Sequence, residues 1–150
     1  MGIKIISENK KARHDYEVVE TFEAGVALQG SEVKSLRDGQ CNLKDSYVAF
    51  VKDEAYLQNA HISVYKASSY NNHDPERLRK LLLHRNELDR LQGVIREKGL
   101  SCVPLKIYFK KGRVKLELAL VRGKKHGDKR ETAKRKDADR EIQRRLKKSR

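Results

Sequence analysis

The sequence predicts a mostly β fold with helices, in which a small curved antiparallel sheet closes into a barrel and a basic tail follows. Three observations support this prediction. Strand-like runs rich in Val, Tyr, Phe and Leu recur along residues 1–121, separated by turn residues. The last two runs alternate apolar and polar positions around a Lys111-Gly112 turn, as in an antiparallel hairpin with one buried face. Residues 122–150 carry 14 Lys and Arg against five acidic residues.

The charge distribution points to a polyanionic partner. Of the net charge of +14 on 150 residues, +9 lies in residues 122–150. No stretch is apolar enough to span a bilayer, so nucleic acid is favoured over a membrane. The N-terminus lacks the long apolar segment of a secretory signal, which predicts a cytoplasmic protein.

The first half of the chain is predicted to form three strands and a short helix. A strand over Tyr16–Phe22 bends or bulges at Glu23–Gly25. Ser31 caps a short helix that ends at Gly39. Tyr47–Val51 and Ala55–Val64 are the next two strands.

The second half is predicted to form a helix and a hairpin. Asp74-Pro75 is typical of a helix start, and Lys98-Gly99 of a helix end. A break near His84, with Glu87 three residues later as part of a second cap, is an alternative. The order of strands and helices is that of an OB-fold-like antiparallel β-barrel over residues 1–121, although a half-open α+β sandwich would give a similar pattern.

The sequence offers no convincing catalytic or metal site. The five histidines are scattered, and Cys41 and Cys102 lack the spacing of a zinc site. Glu76, Glu87 and Asp89 could hold Mg²⁺ in a nuclease, but helix-start and helix-face roles explain them equally well. We therefore predict no enzyme activity, no metal and no cofactor. With six Tyr, three Phe and no Trp, stacking of single-stranded bases is less favoured than binding to the backbone of structured RNA.

The basic tail, residues 122–150, has helical features of its own. Asp128 and Glu131 have capping-box spacing, and Ala138, Ile142 and Leu146 form an apolar stripe. Such a polar segment is predicted to be disordered when free. Its stripe is too narrow to fold against a core but sufficient to fold against a partner, so we expect a helix when bound.

Six ordered motifs resemble the small protein B family, the SsrA-binding or tmRNA-binding proteins of bacterial trans-translation. Ala138 departs from members that have a bulky aromatic residue there. The motifs are Asn9–His14 with Tyr16, Phe22–Gly25, Leu28–Arg37, Asp45–Val48, Asp74–His84 and Gly123–Arg130.

This resemblance implies a non-enzymatic RNA-binding function. The barrel would bind the tRNA-like domain of tmRNA, and the protein would bring it to the A site of stalled 70S ribosomes. The tail would lie in the empty mRNA channel, near the 16S rRNA of the decoding region, so that nascent chains are tagged for degradation. Elongation factor Tu with alanyl-tmRNA would accompany a monomer of the protein.

The resemblance also implies two sets of site residues. The RNA-binding set is Asn9, Lys10, Lys11, His14, Glu23, Leu82, Lys124 and Lys125. The ribosome-binding set in the tail is Asp128, Lys129, Arg130, Ile142 and Leu146. From the residues alone, Glu23 could instead organise a bend and Leu82 could pack in the core.

Two alternatives belong to other classes of protein. A basic tail on a compact body is also typical of a ribosomal protein, which would be present on all ribosomes rather than on stalled ones. A metal-dependent RNA nuclease would instead degrade RNA in the presence of Mg²⁺.

Overall fold

The computed structural model describes residues 3–64, 73–123 and 140–146. The tail residues Lys124, Lys125, Asp128, Lys129, Arg130 and Ala138 lie outside these ranges. The described elements are β1 (Lys4–Glu8), α1 (Lys10–Asp15), β2 (Tyr16–Val26), α2 (Gly30–Arg37), β3 (Cys41–Asn42), β4 (Tyr47–Val51), β5 (Glu54–Gln58), β6 (His61–Ile62), β7 (Arg79–Leu82), α3 (Arg85–Lys98), β8 (Ser101–Lys110), β9 (Arg113–Gly123) and a tail helix, α4 (140–146).

Within the described residues, seven strands form one antiparallel sheet in the order β1-β8-β9-β2-β7-β5-β4, and β3 pairs with β6. The sheet curves around a core to which α2, α3 and several strands contribute. This confirms the predicted mostly β, OB-fold-like barrel. The predicted strand Tyr47–Val51 is found with the same bounds, and the hairpin of β8 and β9 turns at Lys111-Gly112.

The predicted helix start at Asp74-Pro75 is wrong, because a strand lies between this turn and the helix. β7 has Arg79 and Leu81 buried, and Lys80 and Leu82 exposed. Its backbone pairs with both β2 and β5, so it links two parts of the sheet. The alternative break at His84 is confirmed: the side chain of His84 caps α3, and its backbone N–H donates to Glu87.

A buried ion cluster fixes β7 against α2. The carboxylate of Glu32 accepts hydrogen bonds from Arg79 Nε and from Arg77 Nη2, the latter at 2.6 Å. Arg79 also donates to the carbonyl oxygens of Ala60 at 2.8 Å and Pro75 at 3.0 Å. Burial alone would raise the pKa of Glu32, but the hydrogen bonds from Arg77, the Gln29 backbone and Arg79 lower it.

The N-terminal part contains two elements that the sequence did not predict, β1 and α1. The bulge predicted at Glu23–Gly25 is also misplaced, since the register of β2 against β9 shifts between Val18 and Glu20. At the other end of the barrel sequence, β9 extends to Gly123, two residues beyond the predicted boundary at Val121.

Candidate RNA interface

Helix α1 carries the first group of predicted RNA-binding residues, and Asn9 holds it in place. The Asn9 amide Nδ2 donates to the carbonyl oxygens of Leu43 (3.2 Å) and Pro104 (3.0 Å), while Oδ1 accepts from the N–H of Ala12 at 3.1 Å. Asn9 is only 3% exposed. Its place is therefore beneath the surface, where it caps α1 and orients the residues that follow.

The residues after Asn9 present cationic and polar groups to solvent. Lys10 is exposed, and the His14 side chain is 89% exposed, with Nδ1 at 3.1 Å from an Asp15 carboxylate oxygen. Lys11 Nζ lies 2.6 Å from Asp45 Oδ1. The hydrogen bond and charge of Asp45 raise the pKa of Lys11, and the same pair lowers the pKa of Asp45. A phosphate at Lys11 would therefore compete with Asp45.

Glu23 lies at the centre of a second group, on the outer side of the barrel. Its carboxylate accepts a hydrogen bond from the hydroxyl of Tyr108, and Lys110 Nζ lies 3.4 Å away. The hydrogen bond from Tyr108 and the nearby lysines lower the pKa of Glu23. Burial and the contact with Glu23 raise the pKa of Tyr108. Glu23 thus orders cationic side chains around it, whereas the bend-organising role is excluded by the straight register there.

Leu82 lies on the strand beside Glu23 and projects outwards. It is 54% exposed, which excludes the core-packing role. Gly25 pairs with it, and a Cβ added to Gly25 would stand 3.4 Å from Leu82 Cβ and 3.7 Å from Lys115 Nζ. Glycine therefore leaves room for an apolar side chain beside a lysine, a surface that suits a sugar or base edge flanked by phosphates.

Sequence reasoning missed the basic residues that surround this second group. Their signal was present, because they alternate with buried residues along β7, β8 and β9. They line the grooves next to Glu23 and Leu82 and are Lys80, Arg85, Lys110, Lys111, Arg113 and Lys115.

The two groups of predicted residues lie at opposite ends of β2. Tyr16, directly after α1, pairs with Gly123, whereas Glu23 pairs with Glu117. Seven residues of strand separate Tyr16 from Glu23, which is about 23 Å. A ligand that contacts both groups must be extended over this distance, as an RNA helix or elbow is.

The described part of the tail packs against the barrel. In α4, Ile142 is fully buried among Ala49 and Val51, and Leu146 is partly buried in the same cluster. The expectation that this stripe is too narrow to pack on a core is therefore wrong for Ile142. The physical reason is that β4 offers a second apolar face, which the sequence analysis did not recognise.

Searches of the described ranges for other site types gave two results. They contain no cluster of three or more His, Cys, Asp or Glu side chains suited to a metal ion. No helix within these ranges has the length and apolar character needed to cross a membrane. Of the carboxylates considered for Mg²⁺, Glu87 caps α3 and Glu76 lies 3.9 Å from His61.

Comparison with known proteins identifies the family. A family model described as SmpB protein matches residues 6–148. The chain belongs to the SmpB family. An SmpB relative from Bdellovibrio bacteriovorus, named SsrA-binding protein, is 66% identical over 99% of this chain and 98% of its own. A second SsrA-binding protein, from Syntrophobacter fumaroxidans, is 59% identical over 94% of this chain and 88% of its own.

A solved structure shares the fold. It is described as "tmRNA-SmpB: a journey to the center of the bacterial ribosome", and its chain is 54% identical to this one. The TM-score is 0.69, over 82% of this chain and 87% of the other. The SmpB resemblance inferred from six motifs is thereby confirmed.

Proposed function

We propose that this protein binds the tRNA-like domain of tmRNA and delivers it to the A site of stalled 70S ribosomes. The observation that carries this proposal is the nearly full-length match to SsrA-binding proteins. The tmRNA-SmpB structure with the same fold supports it independently of the protein names. The tagging of nascent chains and the rescue of the ribosome follow from this delivery.

The barrel supplies the tmRNA-binding surface in this proposal. Lys10 and Lys11 contact phosphates, and the exposed His14 contacts the same part of the RNA. Asn9 acts indirectly by holding α1. Around Leu82, cationic side chains contact the backbone, while Glu23 keeps Lys110 in position.

The tail supplies the ribosome-binding part. We propose that Lys124 and Lys125 extend the contact with RNA, and that Asp128, Lys129 and Arg130 begin the segment that enters the empty mRNA channel. Ile142 and Leu146 then lie on one face of a helix near the 16S rRNA of the decoding region. The charge of residues 122–150, +9, favours this path past phosphates.

The remaining parts of the proposal rest on the family. They are delivery together with elongation factor Tu and alanyl-tmRNA, action as a monomer in the cytoplasm, and the absence of a catalytic step or cofactor. The fold supports a binding function, because the two groups on β2 present lysines and an exposed leucine rather than a nucleophile with its base.

The RNA that co-purifies with the tagged protein tests the proposal directly. We expect one dominant species with a tRNA-like end, and enrichment of the protein on stalled ribosomes. Stoichiometric presence on all ribosomes, with rRNA as the bound species, would instead identify a ribosomal protein. Degradation of RNA by the purified protein with Mg²⁺ would identify a nuclease.

A second experiment separates charge from helix formation in the tail. The double variant Ile142→Asn with Leu146→Asn keeps the net charge, and a tail scrambled at constant composition keeps all residues. We expect both to bind tmRNA normally and to fail in tagging of nascent chains. Full tagging by the scrambled tail would reduce the role of the tail to electrostatics.

A further inference from the structure

Strand β4 has an apolar outer face as well as an apolar inner face. Val48 and Phe50 pack in the main core, as expected for alternate residues of a barrel strand. Tyr47, Ala49 and Val51 point the other way, where solvent would favour polar residues in an ordinary antiparallel strand. Yet Ala49 and Val51 are only 4% and 3% exposed. Something therefore covers this face.

The cover is the protein's own tail helix. Ile142 of α4 is 0% exposed in contact with the Ala49 and Val51 cluster, and Leu146 follows one turn later on the same side. Tyr56 on the neighbouring strand and Leu78 complete the surface. The other residues of α4 between 140 and 144 are exposed, so its polar side faces away from the barrel.

We infer that the outer face of β4 and β5 is a docking site for the C-terminal helix, and that docking withholds Ile142 and Leu146 from the ribosome until the helix is released. The second part rests on the proposed function, in which the same two side chains engage the decoding region. A single apolar helix face cannot pack against two surfaces at once. The docked and ribosome-bound positions therefore exclude one another.

The contact is small enough to be reversible. One buried and one partly buried aliphatic side chain hold a helix of seven residues, and helices of this length are not stable alone in water. Release of Ile142 should therefore melt α4, and a new apolar partner should reform it. If the docked form outnumbers the released form by about ten to one, the apparent affinity of the tail for its ribosomal site falls about tenfold.

The docked helix lies next to the RNA-binding helix α1. Tyr47 belongs both to the cluster around Ile142 and to the cluster in which Ala12 of α1 is buried. The two helices thus share one side chain of β4. Substitutions that test docking must avoid Tyr47, since they would disturb both.

Ala49 and Leu78 allow the docking site to be altered without changing the tail. Ala49→Gln places a longer polar side chain beneath Ile142, and Leu78→Asn weakens the same surface from another segment. Ala49→Ser is the matched control, because it adds polarity with little volume. Ile142→Asn removes the docked residue itself. Amide protection in β8 and β9 shows whether each variant keeps its barrel.

Hydrogen exchange of residues 140–146 in the free full-length chain is the first measurement. In the native chain we expect protection of these amides that falls by at least about tenfold in Ala49→Gln, Leu78→Asn and Ile142→Asn. Ala49→Ser should stay within about twofold of the native chain. Absence of protection in the native chain overturns the inference. Unchanged protection in both receptor variants, with the barrel intact, overturns it too.

Tagging of nascent chains on stalled ribosomes is the second measurement. Ala49→Gln should bind tmRNA as the native chain does and reach half-maximal tagging at a concentration up to about tenfold lower. An unchanged concentration, with docking lost, overturns the withholding role. Failure of the native chain to bind tmRNA or to support tagging would count against the proposed function and leave the exchange result standing. Normal tagging without any protected tail helix would overturn docking alone.

Discussion

The ion pair between Lys11 and Asp45 leads to a prediction about affinity for RNA. Lys11 Nζ and Asp45 Oδ1 are 2.6 Å apart, and their side chains are 49% and 63% exposed. An RNA phosphate that binds Lys11 must displace Asp45, whereas Lys10 next to it is exposed and has no such competitor among the ion pairs of the described residues. Asp45→Asn removes the competition. Asn also suits the positive φ of 63° at this position, so the loop should keep its shape.

The expected magnitude is modest because exposed ion pairs are weak. Asp45→Asn should tighten tmRNA binding by roughly two- to fivefold at low salt. Lys10→Gln should weaken binding and lower the slope of log affinity against log salt by about 0.9, one phosphate contact. Between 50 and 200 mM salt, the loss of affinity would then shrink by roughly three- to fourfold.

Filter binding to tmRNA at several salt concentrations measures both effects. Asp89→Asn, on the exposed side of α3, makes the same change in net charge away from α1 and is the matched control. If Asp45→Asn and Asp89→Asn strengthen binding equally, the gain is due to net charge alone. An unchanged slope in Lys10→Gln would mean that α1 does not face the RNA backbone.

Three further predictions concern the core, the second RNA-binding group and the tail. Glu32→Gln should lower the free energy of unfolding by about 3–5 kcal/mol in urea titrations, because it leaves Arg79 buried without its charge partner. The pKa of Glu32 is lowered from 4.5, so its stabilisation is present above that pH and lost as the pH falls through the folded value. The native chain should therefore lose stability there, while the variant should lack this component. Leu82→Asn should change stability by less than about 0.5 kcal/mol, because Leu82 is 54% exposed, yet weaken tmRNA binding at least about fivefold in the same filter assay. A chain that ends at Gly123 should still bind tmRNA but not support tagging, and loss of both would assign tmRNA binding to the tail.

Elements whose contacts are mainly local could be predicted from the sequence. The hairpin of β8 and β9 has clear alternation and a short turn, and α3 has a cap at each end. The strand β7 could not be predicted, because Leu81, Leu82 and Leu83 fit a helical and an extended pattern equally well. Its conformation is decided by pairing with β2 and β5 and by the bond from Arg79 to Glu32, 47 residues away.

The candidate site shows the same division. Motifs identified the segment of α1 and the positions of Glu23 and Leu82, but not which side chains face solvent. Asn9 proved buried and Leu82 exposed. The docking of Ile142 depends on β4, more than 90 residues away, and only the apolar residues on alternate positions of β4 signalled it.

The Glu32 cluster also has a consequence for how the barrel opens. Its hydrogen bonds join α2, β7 and the loops at Ala27, Ala60 and Pro75, so one carboxylate connects segments spread over half of the chain. None of these segments can separate without exposing a buried charge, and local fluctuations there are costly. Residues 27–82 should therefore unfold as one cooperative unit, and their slowest amides should exchange with a common free energy. The ends of β2 and β9 beside α1 are not tied to this unit and can open independently, which leaves the surface nearest Lys10 and Lys11 free to adjust to a bound RNA.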